Sequence, residues 1–185
     1  MDQNTIYIIV AVVVVALIVV GLLFARKKKS EQLRQHFGPE YERELKRTGD
    51  ANKAERALEE RAQRVKKFEI RALPAAERQR YAEEWQQVQR RFVDDPRGAV
   101  GEAHTLVQRV MHSRGYPMGE FDRQAEDLSV HYPNVISNYR QAHEISLRHG
   151  KGQASTEDMR QAMVHYRSLF DELLETRNID RKEVA

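Results

Sequence analysis

A chain of 185 residues with 31 Lys plus Arg against 28 Asp plus Glu, a net charge of +3, is long enough for one domain with its own core and carries no uniform excess of one sign. Its lack of cysteine excludes disulfides, thiolate metal sites and a cysteine nucleophile. The charge is unevenly placed: residues 26–71 hold 15 Lys plus Arg against 9 Asp plus Glu, a net of +6, which directs the positive segment to an anionic membrane surface and away from nucleic acid as a partner.

Residues 1–25 read as a transmembrane anchor. From Ile6 to Ala25 there are 20 residues without a charge. At 1.5 Å per residue such a helix matches the ~30 Å hydrocarbon core. The leading "MDQNT" has no Lys or Arg and "GLLFARKKK" offers no convincing cleavage site, so the run is expected to stay in place as an anchor and not to act as an export signal. Arg26, Lys27, Lys28 and Lys29 follow directly. Such a cluster stays on the cytoplasmic side, giving an N-out, C-in chain whose basic residues contact anionic head groups. Tyr7 suits the outer interface, and Gly21 with Ala25 makes one small-xxx-small pair, which leaves self-association open.

Residues 26–71 read as a charged, juxtamembrane helical arm interrupted at Gly38–Pro39 and at "TGD". Leu33, Phe37, Tyr41 and Leu45 recur every four residues, while Glu42 with Lys46 and Glu60 with Arg64 are spaced as i,i+4 ion pairs. No a/d heptads persist, so a solvated spacer is expected here, with Lys66 and Lys67 available for lipid contact beyond the orienting cluster.

Residues 72–177 read as a bundle of about five helices that folds alone, followed by a tail over 178–185. Pro74 starts a helix with Tyr81, Trp85, Val88 and Phe92 on one face, and Asp95 caps the next, which carries Val100, Ala103, Val107 and Val110. A shorter helix carries Phe121, Ala125 and Leu128, and another runs from Pro133 through Tyr139 and His143 to "HGKG". The last opens on a capping-box pattern, Ser155 to Asp158, and aligns Met159, Met163, Tyr166, Phe170 and Leu173. The stripe of Tyr81, Trp85, Phe92, Tyr166 and Phe170 is either core or an interaction surface. No stretch alternates as a strand does, and the predicted class is all-α.

The residues do not assemble a recognised catalytic pattern. Asp94–Asp95 precedes a helical proline, as a cap does. His143–Glu144 opens like a zinc-protease helix, but Leu147 stands where the second histidine belongs, and no histidine has Glu three positions earlier as a di-iron bundle requires. His104, His143 and His165 can converge inside the bundle. "RHGKGQAS" follows a helix and lacks the strand of a phosphate-binding loop.

The strings "HFGPEYER", "YAEEWQQVQRRFVDDP", "DLSVHYP", "NYRQAHEI" and "STEDMRQAMVHYRSLFDELL" resemble a family of bacterial membrane proteins with one N-terminal span, a helical cytoplasmic domain and no assigned activity. The resemblance runs from about Leu33 to Leu174, and His131 departs from an acidic position in its pattern. It implies a bacterial inner-membrane setting and brings no catalytic residue or cofactor. The expectation is a membrane-tethered helical interaction module, a scaffold or adaptor with an unknown protein partner and no enzyme activity, cofactor or metal; the alternative is a membrane-anchored enzyme with its site inside the bundle.

Overall fold

Helix stops and starts written in the local sequence divide the described residues into eight helices. In the computed structural model the backbone is described for residues 3–174 and side chains for residues 12–174. The helices are α1 (Gln3–Phe37), α2 (Pro39–Thr48), α3 (Ala51–Val65), α4 (Ala75–Arg91), α5 (Pro96–Ser113), α6 (Phe121–His131), α7 (Ile136–Gly150) and α8 (Thr156–Leu174). Among the described residues there is no strand, so the class is all-α. The expected tail over 178–185 lies outside them.

Each boundary has a local cause. Gly38, at φ 46°, breaks α1, and Pro39 opens α2 where its missing N–H removes no bond. Gly49 closes α2 in the left-handed conformation, and the Asp50 side chain then accepts from the Lys53 N–H at 2.9 Å to start α3. Asp95 caps α5 by accepting from the Gly98 N–H at 2.9 Å. Ser155 and Asp158 cap α8 reciprocally: the Ser155 N–H donates to the Asp158 carboxylate at 2.8 Å and the Asp158 N–H to Ser155 Oγ at 3.1 Å. One start differs from the expectation: α7 begins at Ile136 and not at Pro133, because Pro133 holds Tyr132 out of helical geometry and residues 133–135 form a turn.

The five helices α4–α8 form the predicted bundle. Its core takes Tyr81, Trp85 and Val88 from α4, Val100, Val107 and Val110 from α5, Leu128 from α6, Ile136 and Tyr139 from α7, and Tyr166, Leu169 and Phe170 from α8. Trp85 stacks on Phe170 with centroids 4.7 Å apart. The stripe of Tyr81, Trp85, Tyr166 and Phe170 is therefore core, and Phe92, half-buried, packs on its edge.

The arm differs most from its sequence-based reading. It is a packed helical hairpin lying against α6, not a solvated spacer. Phe37 of α1, Tyr41 of α2 and Leu58 and Val65 of α3 form a second core, closed by Val130 of α6, with Leu33 and Leu45 at its edge. The every-fourth-residue stripe has found a face to cover. The expected ion pairs are replaced too: Glu42 meets Arg34 at 3.6 Å, and Arg64 turns to Asp127 at 2.7 Å and Glu126 at 3.2 Å. Arg64 takes Asp127 because packing has already displaced most of that carboxylate's solvent, whereas Arg34 and Glu42, both more than half exposed, make a surface pair of little energetic weight.

The boundary placed between residues 71 and 72 falls inside a docked segment. The Arg71 N–H donates to the Arg114 carbonyl at 3.0 Å and Arg71 Nε to the Ser113 carbonyl at 2.8 Å. Gly115, at φ 90°, lies so close that a Cβ there would stand 2.2 Å from the Glu69 carbonyl oxygen. Only glycine fits both the left-handed backbone and the approach of the passing chain.

Candidate functional site

Two regions carry more chemistry than a simple bundle needs: the end of the molecule where α1 leaves it, and the charged junction between the hairpin and the bundle.

Among the described residues no helix is long and apolar enough to cross a membrane. Of the expected span, the side chains of Ile6 to Ala11, Tyr7 included, lie outside the described residues, and the described part begins at Val12. From Val12 to Phe24 the large apolar side chains of α1 are 48–70% exposed, and Gly21 has nothing within 4 Å of where its Cβ would stand. Elsewhere in the described chain apolar side chains of this size are mostly buried. Arg26, Lys27, Lys28 and Lys29 follow on the same exposed helix.

From the basic cluster onward, α1 stops being alone. Arg26 Nη2 donates to Asn52 Oδ1 at 3.2 Å, Ser30 Oγ to a Glu55 carboxylate oxygen at 2.6 Å, and Lys29 Nζ stands 2.7 Å from Glu59. The Tyr41 hydroxyl donates to the same Glu55 oxygen at 3.0 Å. Rising residue numbers on α1 meet rising numbers on α3, so these two helices run side by side in the same direction, with α2 returning between them.

The junction is built from buried charge. On α3, Arg61 occupies the same stripe as Ala54, Leu58 and Val65, and so its guanidinium enters the interface. Its nitrogens lie 2.7 Å from Glu44 and 3.4 Å from Glu40, both from α2, and 3.6 Å from Glu126 of α6. Arg140 of α7 reaches Glu40 at 3.1 Å, and Arg64 holds Asp127. Arg61, Glu40, Glu44 and Asp127 are each at most 5% exposed. Burial alone pushes the Glu44 carboxyl up, but hydrogen bonds and charge from Arg47 and Arg61 outweigh it and hold the group below the usual glutamate value. The network joins α2 and α3 to α6 and α7 with paired charges.

Of these junction residues the sequence pointed only to Arg64, and to the wrong partner, Glu60. The available signal was Arg61 at a position where spacing from Leu58 and Val65 calls for an apolar side chain, and Glu40 with Glu44 one turn apart beside the Phe37–Tyr41 stripe.

The histidines converge in part. His104 of α5 and His143 of α7 bring their rings to 5.8 Å, and His143 stacks on Phe121 at 3.5 Å, with Tyr139 and Tyr166 beside His104. His165 is half-buried on α8 and, among the described residues, makes no ring contact with either. No group of three or more His, Asp or Glu side chains among them is arranged to hold a metal ion. A cleft of about 410 Å³ beside His143 is lined by Arg43, Glu120, Asp122, Arg140 and Glu144.

Burial lowers the pKa of His104, with repulsion from His143 adding to it, and burial likewise lowers that of His143, opposed by Asp122. The unfolded chain takes up protons near 6.5, before the folded one does. Stability is therefore full above that value and falls as pH drops from 6.5 through the lowered folded-state values. Urea midpoints measured at several pH values should decline on acidification, and His104→Gln should flatten the slope below pH 6.5. An unchanged slope would assign the loss to other groups.

No protein-family model, curated protein or solved structure matches the chain.

Proposed function

We propose that the protein is a membrane-tethered interaction module: α1 anchors it in a bacterial inner membrane, with the N-terminus out, and the helical bundle works on the cytoplasmic side as a scaffold or adaptor. One observation carries this reading. The apolar side chains of α1 from Val12 to Phe24 stay exposed in a chain that buries most others, and the helix then meets four consecutive basic residues. Each large apolar side chain left in water forgoes about 1.5–3 kcal/mol of burial, and lipid recovers it without requiring a protein partner. The basic residues favour cytoplasmic placement and anionic head groups.

The mechanism is confinement. A tethered bundle meets membrane-associated protein partners at a raised effective concentration, with no catalytic step required of it. The hairpin supports this role because it joins the anchor to the bundle through a packed core and paired charges instead of a loose linker.

The test uses the cysteine-free chain. A single cysteine at Glu183 should resist an impermeant thiol reagent in intact cells and react after lysis, while the protein stays with membranes through an alkaline carbonate wash. Val13→Lys with Leu17→Lys should move the chain to the soluble fraction, since each lysine near the middle of the apolar run costs about 2.5–3.5 kcal/mol on insertion. Ready labelling in intact cells would overturn the orientation; retention of the double-lysine variant in washed membranes would overturn the anchor.

A further inference from the structure

The hairpin places basic side chains far apart in sequence at a common height. We propose that the α2–α3 turn is a second binding site for anionic phospholipid head groups, formed by Lys46, Arg47 and Lys53, and that it fixes how the bundle stands on the bilayer. The proposal rests on α1 being the anchor.

The heights follow from contacts between the helices and from helix rise. Asn52, next to the turn, receives a hydrogen bond from Arg26, the first residue after the apolar run. On α2, Glu42 pairs with Arg34 at 3.6 Å, and the six residues from there to Thr48 carry the chain back along α1 by ~9 Å, to the neighbourhood of Lys28. The turn thus returns to the level at which the exposed apolar surface ends.

Its side chains are sorted for a negative surface. Lys46, Arg47 and Lys53 are exposed. Arg47 bonds Glu44, yet its side chain is 63% exposed, whereas the Glu44 carboxylate lies inside the junction. The nearby acids are turned away or occupied: Glu55 accepts from Ser30 and Tyr41, Glu59 pairs with Lys29, and Asp50 caps α3. Asp50 is the exposed carboxylate within the turn, and Lys46, Arg47 and Lys53 outnumber it. A negative lipid surface attracts basic groups that stand within about a Debye length of it.

The same geometry removes two residues that composition alone would include. Lys66 and Lys67 lie at the far end of α3, and the rise from Asn52 to Lys66 is ~21 Å, about two Debye lengths at 0.1 M salt. They share the net charge of the arm without sharing its contact with the membrane.

A lipid-quenching experiment on the full chain tests this, using phosphatidylcholine vesicles with and without phosphatidylglycerol. A fluorescent label on Ala51→Cys reports the turn, one on Lys67→Cys the far end of α3, and one on Val15→Cys the anchor. With a nitroxide on the lipid head group, the Ala51 label should be quenched strongly in vesicles containing phosphatidylglycerol and weakly without it, and the Lys67 label in neither. Lys46→Gln and Lys53→Gln should each reduce the docked population roughly fivefold, while Lys66→Gln with Lys67→Gln should leave it unchanged. These are exposed positions, and circular dichroism verifies that the variants keep their helices.

Equal quenching at Ala51 with and without phosphatidylglycerol would overturn the proposal, because the turn would then be near the bilayer without recognising its charge. Absent quenching there, with the Val15 label still quenched by a nitroxide on the lipid acyl chain, would overturn it and leave the anchor standing. A Val15 label that escapes the acyl-chain nitroxide would overturn the anchor and this site together.

Discussion

Arg61→Ala should destabilise the hairpin by about 3 kcal/mol, the lower end of the range for breaking a buried ion pair. The guanidinium serves Glu44 at 2.7 Å and Glu40 at 3.4 Å from a position 5% exposed, and its loss leaves two carboxylates in a site from which water is largely excluded. The cost stays at the lower end because Arg140 still reaches Glu40 and Arg47 still reaches Glu44. Urea denaturation should place the midpoint of the variant well below that of the parent. Hydrogen exchange should locate the damage, accelerating in α2 and α3 and sparing α5 and α8. Adding Glu44→Gln and Glu40→Gln to Arg61→Met should recover much of the stability, because the penalty comes from uncompensated charge and not from lost packing. A loss below about 1 kcal/mol for Arg61→Ala would mean that the carboxylates find water or protons at little cost.

Cutting the chain between hairpin and bundle should have a comparable effect. A fragment of residues 72–174 retains the main core, from Leu73 to Leu173, and should remain helical. It loses Arg64 from Asp127 and Glu40 from Arg140, and the Arg71 N–H from the Arg114 carbonyl, while Val130 is uncovered. Asp127 loses its ion pair but regains water as the hairpin leaves the same face, so the lost burial of the valine and the lost backbone bond, about 1–3 kcal/mol together, set the scale. Against a fragment of residues 30–174, the shorter one should be less stable by about 2 kcal/mol and more prone to associate through the uncovered face of α6. Equal stability within about 1 kcal/mol would show that the hairpin merely rests on the bundle.

Under the proposed tethering, the docked hairpin has a mechanical consequence. A loose spacer would let the bundle sample every orientation within reach of the anchor. In that proposal a packed junction restricts it, and the heights of α1 and of the α2–α3 turn would set the surface offered to a partner. The proposal thereby assigns the basic residues a role in orientation as well as in membrane topology.

The local syntax of the chain was legible in its sequence. Gly38–Pro39, Gly49–Asp50, Asp95–Pro96 and Ser155–Asp158 divide the helices as expected, because capping and left-handed backbone preferences act within a few residues. The same held for the core faces of α4, α5 and α8, where a 3.6-residue period places Trp85, Val107 and Phe170 on the buried side. The shift in α7 from Pro133 to Ile136 was local as well, a turn that a proline prefix alone does not specify.

What the tertiary structure decided was which of several chemically acceptable partners each charged or amphipathic face would take. Leu33, Phe37, Tyr41 and Leu45 announce a stripe, but no local rule says that α6 supplies Val130 to close it. Glu60 was as well spaced for Arg64 as any partner in sequence, yet Arg64 found Asp127, 63 residues away, because packing had already brought the two together and partly excluded water. Periodicity and capping are properties of a single helix and survive in isolation. Long-range pairing depends on where the other helices end up, and its energy is set by desolvation that exists only once they have packed.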